Sequence, residues 1–288
     1  MKSFRWLAAL AAASAFALPA LPVHADAASL RARHADLRDE LRNNNYQRAL
    51  HIDSTESPNV LQGDVYAVLD HPFVKVSQAL KEPAAWCDIM ILPFNTKYCH
   101  AGGDQLQVRI GRKYNQPAEQ AFKLSFGFRN QIVGKDYFET RLNAPEGPIG
   151  TRDYRITVSA IPLEAGKTFL HLSYSYGYGT VGRMAMQTYL STAGASKVGF
   201  SMSKDANGQP VLTGGVRGAV ERNAMRYYLA IDSYLETLDA PADQRNEKRI
   251  QSWFSATERY PKQLHEMDRS TYVTMKRQEY ERQQTAMN

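Results

Sequence analysis

Five consecutive period-two runs occupy residues 106 to 178, and this repetition limits what the chain can fold into more than any other feature. Leu106, Val108 and Ile110 alternate with other residues. So do Phe122, Leu124, Phe126 and Phe128, then Phe138, Thr140 and Leu142, then Tyr154, Ile156, Val158 and Ala160. The last run places Leu170, Leu172, Tyr174, Tyr176 and Tyr178 on one face of a pleated strand, with His171, Ser173 and Ser175 on the other. Short polar connections between the runs predict an antiparallel, half-buried sheet. One of its faces is aromatic, and that face needs a cover, either a helix or a ligand.

Helical spacing surrounds these strands. Ser29 is a suitable N-cap for an amphipathic surface helix with Leu30, His34, Leu37 and Leu41 on one stripe, ended by Asn43-Asn44-Asn45. A strand at about 49 to 55 follows, and Val65 to Leu69 reads either as a second extended stretch or as the lead into a helix. His71-Pro72 opens that helix, with Phe73, Val76 and Leu80 along one side. Pro83 starts another, running through Trp86, Ile89 and Met90 to Pro93.

After the tyrosine strand the period lengthens over Val181 to Thr192, through Met184, Met186, Tyr189 and Leu190, which predicts a helix. Val198, Phe200 and Met202 then alternate up to Asn207-Gly208, a strong hairpin signal, and Val211 and Thr213 make the return. A long helix spans Ala219 to Leu238 with Val220, Ala224, Tyr227, Ile231, Tyr234 or Leu235, and Leu238 on its apolar stripe. From 241 to 288 the chain is charged and Gln-rich and reads as a helical extension.

The N-terminus has the grammar of a secretory signal peptide: Lys2 and Arg5, an apolar run from Trp6 to about Leu21, and Val23-His24-Ala25 before Asp26. The cut is expected after Ala25, leaving a periplasmic or secreted chain. The apolar run is shorter than the roughly 20 residues of a spanning helix. The formal net charge of +6, less the two charges of Lys2 and Arg5, becomes +4 and is spread with both signs along the chain. That argues against nucleic-acid binding, which concentrates Lys and Arg on one face, but is compatible with weak contact with an anionic membrane surface. In an oxidising compartment the two cysteines, Cys87 and Cys99, are most simply one disulfide over a short loop, worth about 2–3 kcal/mol, the alternative being a pair of free buried thiols.

Gly177-Tyr178-Gly179-Thr180-Val181-Gly182 fits the dinucleotide pattern GxGxxG, yet follows an antiparallel series instead of opening a parallel βαβ unit, so its glycines read as a bend. Gly166-Lys167-Thr168 lacks the earlier glycine of a phosphate loop, which is Ile161 here. His171 beside Ser173 and Ser175 has no acid positioned by spacing, and reads as a structural histidine. Glu221-Arg222-Asn223 with Arg226 is the most unusual polar cluster. It is either a solvated or ion-paired helix face, or it puts Arg226 at a pocket mouth to hold a carboxylate or phosphate head group.

Several of these segments together carry a family resemblance. They are Val65-Tyr66-Ala67-Val68-Leu69 leading into His71-Pro72-Phe73, Trp86, Gly150-Thr151-Arg152-Asp153-Tyr154, Ile161-Pro162-Leu163 before Thr168-Phe169-Leu170, and the closing helix 219 to 238. In this order the chain resembles the START-like (SRPBCC) helix-grip superfamily, which includes lipid-transfer proteins, plant pathogenesis-related allergens and polyketide cyclases. The resemblance implies an α+β fold in which a curved antiparallel sheet grips a long C-terminal helix. The helix at 181 to 192 and the extension after 241 depart from it. The division expected is a signal peptide at 1–25, an amphipathic helix at 26–48, a helix-grip domain at 49–240 and a helical C-terminal extension at 241–288.

Members of the superfamily typically hold lipids or other apolar molecules between sheet and helix, which implies a cavity here. The candidate wall is Trp86, Phe126, Tyr154, Ile156, Leu172, Tyr174, Tyr176, Tyr227 and Ile231, with Arg226 at the mouth. Tyrosine suits such a wall because its ring packs on lipid while its hydroxyl finds a polar partner. The bland alternative is that the aromatics fill an ordinary core. No catalytic residue, metal ligand or cofactor is assigned. An enzyme using the same cavity, in the manner of a cyclase or hydrolase, and an envelope scaffold docking a partner through 241–288 are the competing readings.

Overall fold

Alternation fixes which side chains share a face, and the ladder of hydrogen bonds then orders the strands. A computed structural model describes residues 27–192 and 194–284, so the segment read as a signal peptide lies outside the described residues. Two short helices, α1 (Ala27–Asp36) and α2 (Arg38–Arg42), precede a hairpin of β1 (Leu50–Ser57) and β2 (Val60–Leu69). Helices α3 (Phe73–Leu80) and α4 (Pro83–Met90) lead to six strands in succession: β3 (Thr96–Gly102), β4 (Gln105–Ile110), β5 (Phe122–Val133), β6 (Phe138–Glu146), β7 (Thr151–Pro162) and β8 (Thr168–Tyr178). Each of the six pairs antiparallel with the next, and β2 pairs with β8. The result is one curved antiparallel sheet in the order β1-β2-β8-β7-β6-β5-β4-β3.

Beyond β8 come α5 (Thr180–Leu190), a small hairpin of β9 (Met202–Lys204) and β10 (Pro210–Leu212), and the long helix α6 (Gly215–Glu236). Helix α6 lies across β1, β2 and β8. Its Leu229, Ile231 and Leu235 are fully buried, each stabilising the fold by about 2 kcal/mol. At Gly63 an added Cβ would meet the Val220 carbonyl oxygen at 3.1 Å and the Ala224 Cβ at 3.2 Å, so the helix crosses β2 closely enough that a side chain there would make it give way by a few tenths of an ångström. The fold is therefore the expected α+β helix grip, with α6 as the gripped helix.

Two local expectations change and one open alternative is decided. The N-terminal helix is two helices that meet at Leu37, and Ser29 lies inside α1 instead of capping it. Its leucines are not merely a surface stripe: Leu30, Leu37 and Leu41 pack with Ile161 and Phe169 on the outer face of the sheet. Val65 to Leu69 is extended, as the second half of β2, and a turn at Asn59, with φ of 66°, joins β2 to β1.

The extension after 241 comprises α7 (Ala242–Thr257), α8 (Pro261–Leu264) and α9 (Arg269–Gln283). It shares its core with the body: the Trp253 ring stacks on Tyr272 at 5.2 Å and its indole N–H donates to the Arg226 carbonyl at 3.1 Å. Cys87 in α4 and Cys99 in β3 form the expected disulfide, a bond proper to oxidising compartments. Among the described residues no helix is long and apolar enough to cross a membrane.

Below β3, two buried lysines share one carboxylate: Lys97 Nζ donates to Glu279 Oε1 at 2.7 Å and Lys276 Nζ to Glu279 Oε2 at 2.6 Å. Burial drives the Lys276 ammonium down to about 8, Glu279 opposing and Lys97 assisting the shift. A lysine depressed from its usual value near 10.5 leaves the folded state holding fewer protons than the unfolded one between those values. Stability from this site is therefore present at high pH and lost as pH falls to about 8. The difference in unfolding free energy between wild type and Lys276→Met should rise between about pH 8 and about pH 10, as read from denaturant titrations. A flat difference would contradict the burial of this ammonium.

Candidate functional site

Along β8 the core-facing positions change from leucine to tyrosine between 172 and 174, and their surroundings change with them. Leu170 and Leu172 are sealed in the core, while Tyr174 and Tyr176 border a cavity of about 470 Å³. Phe122, Leu124 and Phe126 of β5 form one wall. Gly182, Ala185, Met186 and Tyr189 of α5 form another. Helix α6 contributes Ala219, Arg222, Asn223, Arg226 and Tyr227, a set spaced by helical turns and so presented on one face.

The aromatic wall is built by local backbone geometry. The β7–β8 ladder slips between Arg152 and Arg155, Asp153 takes φ of 53°, and the slip carries Tyr154 into the cavity wall. The preceding turn also has Ile149 at φ of 55°, with both it and Pro148 in the lining. Only glycine fits at 147, because an added Cβ would lie 2.2 Å from the Tyr154 ring. Tyr154 then stacks on Tyr176 with ring centroids 5.3 Å apart, Tyr174 meets Tyr227 at 5.3 Å, and Tyr174 meets Tyr176 at 5.8 Å.

Two of the four hydroxyls have partners: Tyr154 Oη donates to Thr151 Oγ1 at 2.9 Å, and Tyr176 Oη makes a weak contact with Met186 Sδ at 3.6 Å. Among the described residues the Tyr174 and Tyr227 hydroxyls have no hydrogen-bond partner. Burial raises the pKa of all four phenols, which keeps them protonated and able to donate.

Of the sequence candidates, Phe126, Tyr154, Tyr174, Tyr176, Arg226 and Tyr227 line this cavity. Trp86, Ile156, Leu172 and Ile231 do not: all four are fully buried in the packed core, and the Trp86 indole N–H donates to the Leu80 carbonyl at 2.9 Å. The wall supplied by α5 and the role of Arg222 were not anticipated. For Arg222 the signal was available in its one-turn spacing from Arg226 beside Ala219 and Tyr227. Nor is the polar cluster on α6 a solvated face. Glu221 and Arg222 are buried, and Arg226 Nη2 is paired with Glu266 Oε1 at 2.8 Å, so its guanidinium already has a carboxylate.

On the other face of β8, His171 does have an acid. Asp64 of β2 lies opposite Ser173 and accepts from His171 Nε2 at 2.8 Å and from Gln62 Nε2 at 2.8 Å. His171 turns to the acid, and its ring stacks flat on Tyr66 at 4.3 Å. This is a structural network without a serine–histidine bond. The GxGxxG segment is the bend expected: Gly177 sits in the antiparallel ladder and Gly179 precedes α5.

No family model and no curated protein matches the sequence. Among solved structures the chain is similar to a conserved protein from Geobacillus kaustophilus (13% identity, 61% of this chain and 95% of that one, TM-score 0.37). It is also similar to a protein from Thermus thermophilus (11%, 62% and 99%, TM-score 0.39) and to norcoclaurine synthase from Thalictrum flavum (11%, 48% and 76%, TM-score 0.32). The helix-grip architecture itself rests on the strand order and the seat of α6.

Proposed function

We propose that this chain is an exported binding protein that holds a lipid or other hydrophobic small molecule between the tyrosine-bearing sheet face and α6, with α5 as the outer wall. The observation that carries the reading is the cavity of about 470 Å³ whose aromatic lining leaves two tyrosine hydroxyls without partners among the described residues. A volume of this order suits a small organic ligand, and sparse polar groups on an apolar wall are how such sites fix orientation. Export is supported by the N-terminal pattern together with the disulfide. Binding is favoured over turnover because the lining among the described residues contains no Asp, Glu or His.

Native mass spectrometry of protein purified from the cell envelope, followed by solvent extraction, should find an apolar molecule released on unfolding. Ala185→Trp places an indole in the cavity from α5. It should lower uptake of a neutral hydrophobic dye by about tenfold or more, while shifting the melting temperature by only a few degrees, since the space it fills is empty of protein. An unchanged dye affinity in this variant, with nothing co-purifying from the envelope, would refute the reading.

A further inference from the structure

Helix α6 brings two guanidiniums to one end of the cavity. Arg222 is 2% exposed, and its partners among the described residues are neutral: Nη1 donates to the Val198 carbonyl at 3.2 Å and Nη2 to the Tyr189 hydroxyl at 3.4 Å. A guanidinium carries five donors in a planar fork, so most of its capacity is unused. Arg226, one turn on, donates to Glu266 at 2.8 Å and to Asn223 Oδ1 at 3.3 Å, and packs over the Phe94 ring at 4.8 Å. Its Nε is buried without a partner among the described residues. Glu266 is moreover shared with Lys197 at 3.6 Å.

Two cations thus share one carboxylate, and Arg222 one turn away has a carbonyl and a hydroxyl in place of one. The nearest other acid in sequence, Glu221, is spent elsewhere, accepting from the hydroxyls of Ser54 and Ser201 and the backbone N–H groups of Phe200 and Ser201. No carboxylate lines the cavity among the described residues, whereas Arg112 adds a third guanidinium to the lining. Buried charge without a counter-ion is expensive, and a protein that keeps such a group normally supplies it with an anion.

We propose that the arginine end of the cavity is an oxyanion subsite centred on Arg222, so that the ligand is an acidic amphiphile. Its carboxylate or phosphate head lies against Arg222, and its apolar body lies along the tyrosines. This deepens the binding reading above and rests on it. The head group completes the charge that Glu266 leaves unbalanced. The planar fork favours an oxyanion with two free oxygens, which it takes bidentately. Tyr189, whose hydroxyl touches Arg222 from α5, becomes a positioning residue for that end.

The test compares binding of a long-chain fatty acid, the matched fatty alcohol, the matched alkyl phosphate and inorganic phosphate alone, all on the full chain. The wild type should bind the acid or the alkyl phosphate about tenfold or more tighter than the alcohol, as expected of a charge-assisted hydrogen bond. Arg222→Gln should remove that preference while leaving the alcohol within about twofold. Arg222→Lys should restore part of it, because the charge returns without the fork. Glu266→Gln, which frees Arg226 from its carboxylate, should strengthen acid binding and serves where the Arg222 variants fold poorly. Equal affinity for acid and alcohol in the wild type, unaffected by Glu266→Gln, would overturn the subsite while leaving the cavity reading intact. Failure of every amphiphile, with the neutral dye also excluded, would sink both. Inorganic phosphate competing as well as the alkyl phosphate would overturn the amphiphile and leave only a free-anion site.

Discussion

Glu279→Gln is expected to lower the unfolding free energy by about 3–5 kcal/mol, the usual cost of breaking a buried ion pair from one side. The three groups are almost wholly enclosed, with side-chain exposures of 1% for Lys97, 1% for Lys276 and 5% for Glu279. Backbone carbonyls take the remaining ammonium protons, those of Phe94 and Tyr114 for Lys97 and those of Pro93 and Thr96 for Lys276. These bonds satisfy donors but supply no countercharge. Glutamine keeps the shape of Glu279 and removes the negative charge of the cluster, leaving two ammonium groups facing each other in a site closed to water. Helix α9 should release first, exposing the 258–268 connection to protease before the sheet unfolds. Removing all three charges together, as Lys97→Met, Lys276→Met and Glu279→Leu, should recover most of the loss, because a well-packed apolar replacement carries no desolvation cost. A Glu279→Gln protein with the wild-type denaturation midpoint would show that water reaches this cluster.

That cluster also shows where sequence reading reaches its limit. Strands β4 to β8 were legible because one side of each faces the core, which writes period two into the chain. Strand β3 was not, because Thr96, Lys97, Tyr98 and Cys99 are all buried and no alternation survives. The first half of β2 was hidden by Gly63, which carries no side chain because α6 crosses it, and by Asp64, which is buried against His171. Charged residues on α6 and α9 suggested solvent, yet the partners that let Glu221 and Lys276 be buried lie on other elements, at Ser54 and Pro93, as does Glu266, the partner of half-buried Arg226. No local pattern encodes such pairings.

The candidate site divides in a similar way. Alternation along β8 gives the face but not the height. Leu172 and Tyr174 point to the same side, about 7 Å apart along the strand, and only the second reaches the cavity. The tyrosine ladder and Tyr227 were readable. The wall formed by α5 was not, because that helix was expected as a departure from the fold instead of as part of the site.

Glu221→Ala is the second substitution with a large expected effect, a loss of about 3 kcal/mol or more, because it strands buried donors instead of merely deleting contacts. Its carboxylate accepts from Ser54 Oγ at 2.5 Å, Ser201 Oγ at 2.6 Å, Phe200 N at 2.6 Å and Ser201 N at 3.0 Å. Those bonds join β1, helix α6 and the 198–201 segment at a point where the backbone has been kept bare: a Cβ at Gly199 would stand 2.3 Å from Glu221 Oε2. The two hydroxyls can turn to other acceptors, but the two backbone N–H groups cannot, so the segment must move to find water. That movement reaches the cavity, since the Val198 carbonyl one residue before Gly199 is a partner of Arg222. Glu221→Gln, which keeps one acceptor oxygen, should lose about half as much stability. Ser201→Ala, which removes only a hydroxyl, should lose about 1 kcal/mol. Denaturant titrations of the three variants should therefore rank Ala below Gln below Ser201→Ala. Destabilisation by Ser201→Ala equal to that by Glu221→Ala would place the weight on the hydroxyl, and the backbone N–H groups would not be what the carboxylate holds.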